Sequence, residues 1–121
     1  MSKKILLIED DPAVTSHLME LLQVTYEVIT TDHGTIGFER AKKDQPDLVV
    51  LDIKLPDIEG TEVLHQLTSD PTTEGIPVIV LTNLNDQHTV SGIIAAGGRE
   101  YLVKTDWSLH EIAEKIKEMI K

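Results

Sequence analysis

Apolar residues follow two rhythms along this chain. Ile5 to Ile8, Leu48 to Leu51 and Val78 to Leu81 are short unbroken runs, each closed by charged or polar residues. Runs of that length read as strands buried on both faces. Tyr26 to Thr31 and Glu100 to Val103 add two β-rich stretches. Elsewhere the spacing is helical: Val14, Leu18, Leu21 and Leu22; then Val63, Leu64 and Leu67; then Leu109, Ile112, Ala113, Ile116 and Ile120. Such spacing gives each helix one buried face. His33 to Lys43 and Asp86 to Ala96 are weaker helical stretches, thinned by Gly34, Gly37 and Gly92.

The punctuation agrees with these rhythms. Asp11 is placed to cap a helix, with Pro12 at the first helical position, where its missing N–H costs nothing. Pro46 stops the second helix, and the third begins after the Gly60 turn. Pro71 and Pro77 bracket a loop, and Gly97-Gly98 suits a helix C-terminus. Ser108 and Glu111 have the spacing of a capping box. Trp107 is expected to pack under the last helix.

Five strands therefore alternate with five helices. Apolar strands in that alternation predict a parallel sheet covered on both faces. Right-handed crossovers narrow this to a doubly wound α/β sheet; in the flavodoxin-like order 2-1-3-4-5, the first and third strands would be neighbours with the switch point between them. The 121 residues fit one domain, spanning residues 1–121.

Ligands of such folds bind beyond the carboxyl ends of the strands, at the switch point of the winding. The residues there are unusual. The first strand ends in Glu9 and Asp10, the third in Asp52, the fourth in Thr82 and Asn83, and the fifth in Lys104. Any one of these carboxylates could be an ordinary cap or strand-end charge. Three at neighbouring strand mouths repel one another and call for a cation. Mg²⁺ suits such a site, because it takes oxygen ligands and needs only one or two direct carboxylates.

Charge and composition remove other classes. With 21 acidic and 11 basic residues the formal charge is −10, which disfavours direct nucleic-acid binding. No cysteine is present, so disulfides and thiolate metal sites are excluded, as fits a cytoplasmic protein. The apolar run after Lys3 and Lys4 is too short for a signal peptide or membrane span. The histidines at 17, 33, 65, 88 and 110 form no i, i+3 or i, i+4 pair of the zinc type.

The set Glu9-Asp10, Asp52, Thr82, Tyr101 and Lys104, with the "LDIKLPDIEG" loop and the "VIVLT" strand, resembles the receiver domain of two-component response regulators. The resemblance runs over essentially the whole chain. It implies that Asp52 accepts a phosphoryl group from a histidine kinase or phosphotransfer protein. It implies that Asp10 binds Mg²⁺ directly and Glu9 mainly through water, with the Lys54 carbonyl completing the protein ligands beside Asp52. Thr82 and Lys104 would hold phosphoryl oxygens, and Tyr101 would turn inward as Thr82 moves. The surface of the fourth helix, fifth strand and fifth helix would then bind an effector protein. The protein would act as a monomer or a phosphorylation-linked dimer. It would be no enzyme beyond its own phosphorylation and dephosphorylation.

Three residues depart from the family pattern. Thr105 stands after Lys104 in "KTDWS", where the family usually has proline in a cis peptide, and this puts the placement of Lys104 in doubt. Asn83 stands where a small residue is usual, and could either crowd the phosphoryl site or hydrogen-bond to it. Lys54 sits at a variable position that tunes phosphoryl lifetime, although solvent exposure is the plainer expectation for its ammonium.

Other classes fit less well. A phosphatase of the haloacid dehalogenase type needs a second aspartate two residues after the nucleophile, and Lys54 stands there. A flavodoxin-like electron carrier needs a Ser/Thr-rich phosphate loop, where this chain has "EDDPAV". A pseudo-receiver that binds partners without phosphorylation keeps the fold; the intact acidic set argues against it, while Asn83 and Thr105 argue for it. The absence of a linker after the last helix suggests a single-domain regulator.

Overall fold

The computed structural model describes residues 3–83, 87–98 and 100–120. The elements alternate without exception: β1 (Lys4–Ile8), α1 (Pro12–Leu22), β2 (Glu27–Thr31), α2 (Gly34–Asp44), β3 (Leu48–Asp52), α3 (Gly60–Ser69), β4 (Val78–Thr82), α4 (Gln87–Ala95), β5 (Glu100–Val103) and α5 (Leu109–Met119). All strand pairs are parallel, as the alternation predicted, and the order is the expected β2-β1-β3-β4-β5. Element ends match the sequence reading to within about two residues. Asp86, expected to open the fourth helix, lies outside the described residues.

Burial follows position in the sheet. Central β3 is buried at every residue, whereas edge strand β2 is half exposed, as its sequence EVITT suits. Side chains alternate across the sheet, so two cores form. Ile5, Leu7, Leu48, Val50, Ile79, Leu81 and Leu102 pack against α1 and α5. Leu6, Ile8, Val49, Leu51 and Val80 pack against α2, α3 and α4.

Local chemistry sets the helix ends. Asp11 Oδ1 accepts from the Ala13 amide at 2.9 Å, with Pro12 opening α1. Ser108 and Glu111 make both bonds of the capping box. Beyond α4 the Gly97 amide donates to Ile94 O and the Gly98 amide to Ile93 O, with Gly97 at φ +97°. That is a Schellman motif, and the left-handed backbone explains the glycine. Trp107 departs from expectation: it is 38 % exposed beside Glu111, Glu114 and Lys115, because Ile112, Ala113 and Ile116 already fill the buried face of α5.

The connection from β3 to α3 is drawn tight. The Gly60 amide donates to Ile53 O at 2.7 Å, and Lys54 bridges to Glu59. A Cβ on Gly60 would overlap the Asp52 carbonyl oxygen and lie 2.5 Å from the Ile53 Cα. Backbone cannot yield as a side-chain tip can. Gly60→Ala should therefore lower stability by about 2 kcal/mol, read from the urea midpoint; an unchanged midpoint would mean the loop opens freely.

Candidate functional site

Register brings the polar strand ends together. Ile8 pairs with Leu51, Asp52 with Leu81 and Thr82 with Val103. Glu9 and Asp52, on neighbouring strands, therefore end level with each other, with Thr82 one residue beyond. Alternation continues past the ladder. Glu9 stays in step with Ile5 and Leu7, Asp52 with Leu48 and Val50, and Lys104 with Leu102, so these three share the α1/α5 side. Thr82 and Tyr101 are in step with the other side.

Carboxylate oxygens of Glu9, Asp10 and Asp52 lie within 4.8 Å of one another. Glu9 and Asp52 are buried and Asp10 is exposed. Lys104 reaches them despite Thr105: its peptide bond is trans, and Nζ stands 2.8 Å from Glu9 Oε1 and 3.4 Å from Asp52 Oδ1. The ammonium thus pairs more closely with Glu9 than with the central aspartate. The Lys54 amide donates to Asp52 Oδ1 at 3.4 Å, a long bond. Thr82 is buried, Asn83 and the Lys54 residue are exposed, and Tyr101 is 37 % exposed on β5.

The electrostatics are out of balance. Burial, and next the hydrogen bond with Asp52, push the Glu9 carboxyl up to about 8, although Lys104 pulls the other way. Burial alone would lower Lys104, but its bond to Glu9 and the charges of Asp52 and Glu9 outweigh that and leave it raised. Burial above all raises the acid, while the neighbouring carboxylates raise the base. Glu9 Oε2 is also buried without a hydrogen-bond partner. An orphaned acceptor among crowded carboxylates fits a hard divalent cation. Among the described residues this is the only such acidic or histidine grouping.

A cavity of about 640 Å³ lies elsewhere, at the opposite end of β4 and β5 beside Leu64, Val78, Glu100 and Met119. The acid cluster lies instead at the carboxyl rim of the sheet, with Asp10 exposed.

The family model for the response regulator receiver domain matches residues 5–117. The chain belongs to this family. It is a receiver domain of two-component signalling systems. Protein PilH of Pseudomonas aeruginosa is 31% identical over 102 residues, covering 84% of each chain. A CheY-like receiver from Methanospirillum hungatei superposes with TM-score 0.89 at 29% identity, over 99% of this chain and 94% of the other. The phosphorylated cyanobacterial phytochrome response regulator RcpA gives TM-score 0.84 at 31% identity, over 98% and 93%. This receiver spans about half the length, or less, of most curated relatives that it matches. No helix among the described residues is long and apolar enough to cross a membrane.

The raised Glu9 carboxyl carries a pH signature in the metal-free protein. Between its ordinary 4.5 and about 8, folded Glu9 binds a proton that unfolded Glu9 releases. Stability must therefore fall as pH rises through that window. With chelator present, Glu9→Gln should flatten this fall and should be more stable than the parent at the alkaline end. Urea unfolding across pH measures it; a variant with the parent's slope would contradict the charge imbalance.

Proposed function

We propose that this receiver is phosphorylated on Asp52 with Mg²⁺ bound at Glu9, Asp10, Asp52 and the Lys54 carbonyl. The observation that carries the reading is the crowding of three carboxylates, two of them paired with the Lys104 ammonium, with an orphaned Glu9 oxygen among them. Ordinary strand-end charges would point to solvent instead.

The transfer follows from the residues. An Asp52 carboxylate oxygen attacks phosphorus while the bond to the leaving group breaks, that group being a kinase histidine nitrogen or acetate. The leaving group keeps the bonding electron pair. Lys104 is close enough to Asp52 to shift from Glu9 toward the incoming oxygens and offset their charge. Bound Mg²⁺ would supply further neutralisation of those oxygens. Thr82, at the end of β4, donates its hydroxyl to a phosphoryl oxygen. Tyr101 shares the Thr82 side of the sheet one strand away, so movement of Thr82 leaves space into which the ring turns. The α4-β5-α5 surface, bearing exposed Ile94 and Tyr101, then presents a different face to an effector.

On this reading the partners are a histidine kinase or phosphotransfer protein and an effector protein in the cytoplasm. Residues 1–121 act as one receiver, monomeric or dimerising on phosphorylation. Its own chemistry is limited to self-phosphorylation and hydrolysis. The phosphorylated state of RcpA and the shared fold support the assignment.

Incubation with acetyl phosphate or phosphoramidate and Mg²⁺ should add one phosphoryl mass to the parent and none to Asp52→Asn. Labelling that persists in the variant would refute the assignment to Asp52. Asn83 projects more bulk at the rim than alanine and is exposed. Asn83→Ala should therefore speed both labelling by acetyl phosphate and loss of the label. Slower labelling of the variant would instead make Asn83 a hydrogen-bond donor to the phosphoryl group.

A further inference from the structure

The tip of the β3–α3 loop is fastened to a helix it does not belong to. Asp57 Oδ1 accepts from the Gly34 amide at 2.8 Å, and Oδ2 accepts from the Thr35 amide at 3.0 Å and the Thr35 hydroxyl at 2.8 Å. These are the first two residues of α2, 23 and 22 positions away in sequence. The helix needs the help, because its own N-cap residue, His33, makes no side-chain capping bond. The His33 ring turns to Asp32 instead, at 2.7 Å. A carboxylate from another loop therefore satisfies the orphan amides of α2, and the positive end of the helix favours its charge. These bonds hold the Asp57 carboxyl well below its usual range, the Thr35 amide contributing most.

Apolar contact tightens the same junction. A Cβ on Gly34 would come within 2.6 Å of Val63 Cγ2 and 2.9 Å of Ile58 Cγ1. Only glycine lets α2 start this close to the loop and α3. The other end of the loop is closed by the Gly60 amide on Ile53 O and by the Lys54–Glu59 bridge. Between these fastenings lie the Lys54 backbone and, immediately before them, Asp52.

We propose that Asp57 is a positioning residue for phosphoryl transfer: by capping α2 it holds the 53–60 loop, and with it the Lys54 carbonyl and the Asp52 carboxylate, in register with Glu9 and Asp10. This rests on the phosphoacceptor reading above. Asp57 itself touches neither metal nor phosphoryl group. Its effect passes through the loop, whose Lys54 amide already bonds the Asp52 side chain. A loop free at its tip lets the Lys54 carbonyl swing, and misplacement of one ligand by a fraction of an ångström weakens both metal binding and in-line geometry.

The test compares Asp57→Ala, Thr35→Val, Thr35→Ser and Arg40→Ala. Arg40→Ala is the control, since it removes only the Arg40–Asp44 pair within α2. Acetyl-phosphate labelling is followed by intact mass across a Mg²⁺ titration, below every melting temperature. Asp57→Ala should label about tenfold more slowly and need more Mg²⁺ for half-maximal rate. Thr35→Val, which loses one bond of three and keeps the fold, should slow labelling about two- to threefold, and Thr35→Ser should restore it. Arg40→Ala should keep the parent's rate and Mg²⁺ dependence even if it melts earlier. Parental rate and Mg²⁺ midpoint in Asp57→Ala, or in Thr35→Val should Asp57→Ala fail to fold, overturn the proposal. If the parent itself takes no label, the phosphoacceptor reading falls, and amide hydrogen exchange decides the rest. Faster exchange at Lys54 and Gly60 in Asp57→Ala, or in Thr35→Val in its place, then upholds loop positioning, and unchanged exchange refutes it.

Discussion

A buried carboxylate at the end of a fully buried strand is the constraint on which this structure turns. Asp52 closes β3, the central strand, and is 5 % exposed. Its neighbour Glu9 is 3 % exposed, and among the described residues one ammonium, that of Lys104, faces the pair. Unpaired buried charge is costly, and one cation cannot neutralise two or three acids. The site therefore retains a demand for positive charge. Burial raises Glu9, the nearby carboxylates raise Lys104, and the excess of acids leaves the carboxyl rim able to take a divalent ion.

Tight backbone geometry keeps this strained arrangement in place. Gly60 lets α3 start against the Asp52 carbonyl, and Gly34 lets α2 start against Ile58 and Val63. Both glycines sit at the first residue of a helix, where propensity matters least. Small residues are thus spent where elements meet round Asp52, while β3 keeps its large aliphatic side chains. Gly37 does the same for α2 on β1, its missing Cβ leaving room for Ile8 Cδ1.

Much of this was legible in the residues. Unbroken apolar runs ending in Glu9, Asp52 and Thr82 identified the buried strands and their polar mouths, because burial on both faces leaves no alternation. Asp11 and the Ser108–Glu111 box marked helix starts, since local side-chain bonds depend on near neighbours alone. What escaped were contacts between distant segments. Asp57 reads as a turn residue, and only the fold brings it to Thr35; a helix opening at His33 with no Ser, Thr, Asp or Asn as cap was the one available hint. Lys104 was legible as the end of the fifth strand, but its closer approach to Glu9 than to Asp52 depends on burial and register. Trp107 was misjudged because aromatic size suggests burial, while α5 had no unfilled apolar face to offer it.

Side-chain alternation has a further consequence. Leu7 and Ile8, adjacent in sequence, face different cores, so the sheet is a partition between two separately packed layers. Glu9, Asp52 and Lys104 align with one layer, Thr82 and Tyr101 with the other. Anything seated on the rim touches both at once. The partition ends there, so communication between the layers need not pass through the packed interior. On the proposed reading, a group that bonded both Thr82 and Lys104 at the rim would act on both layers together.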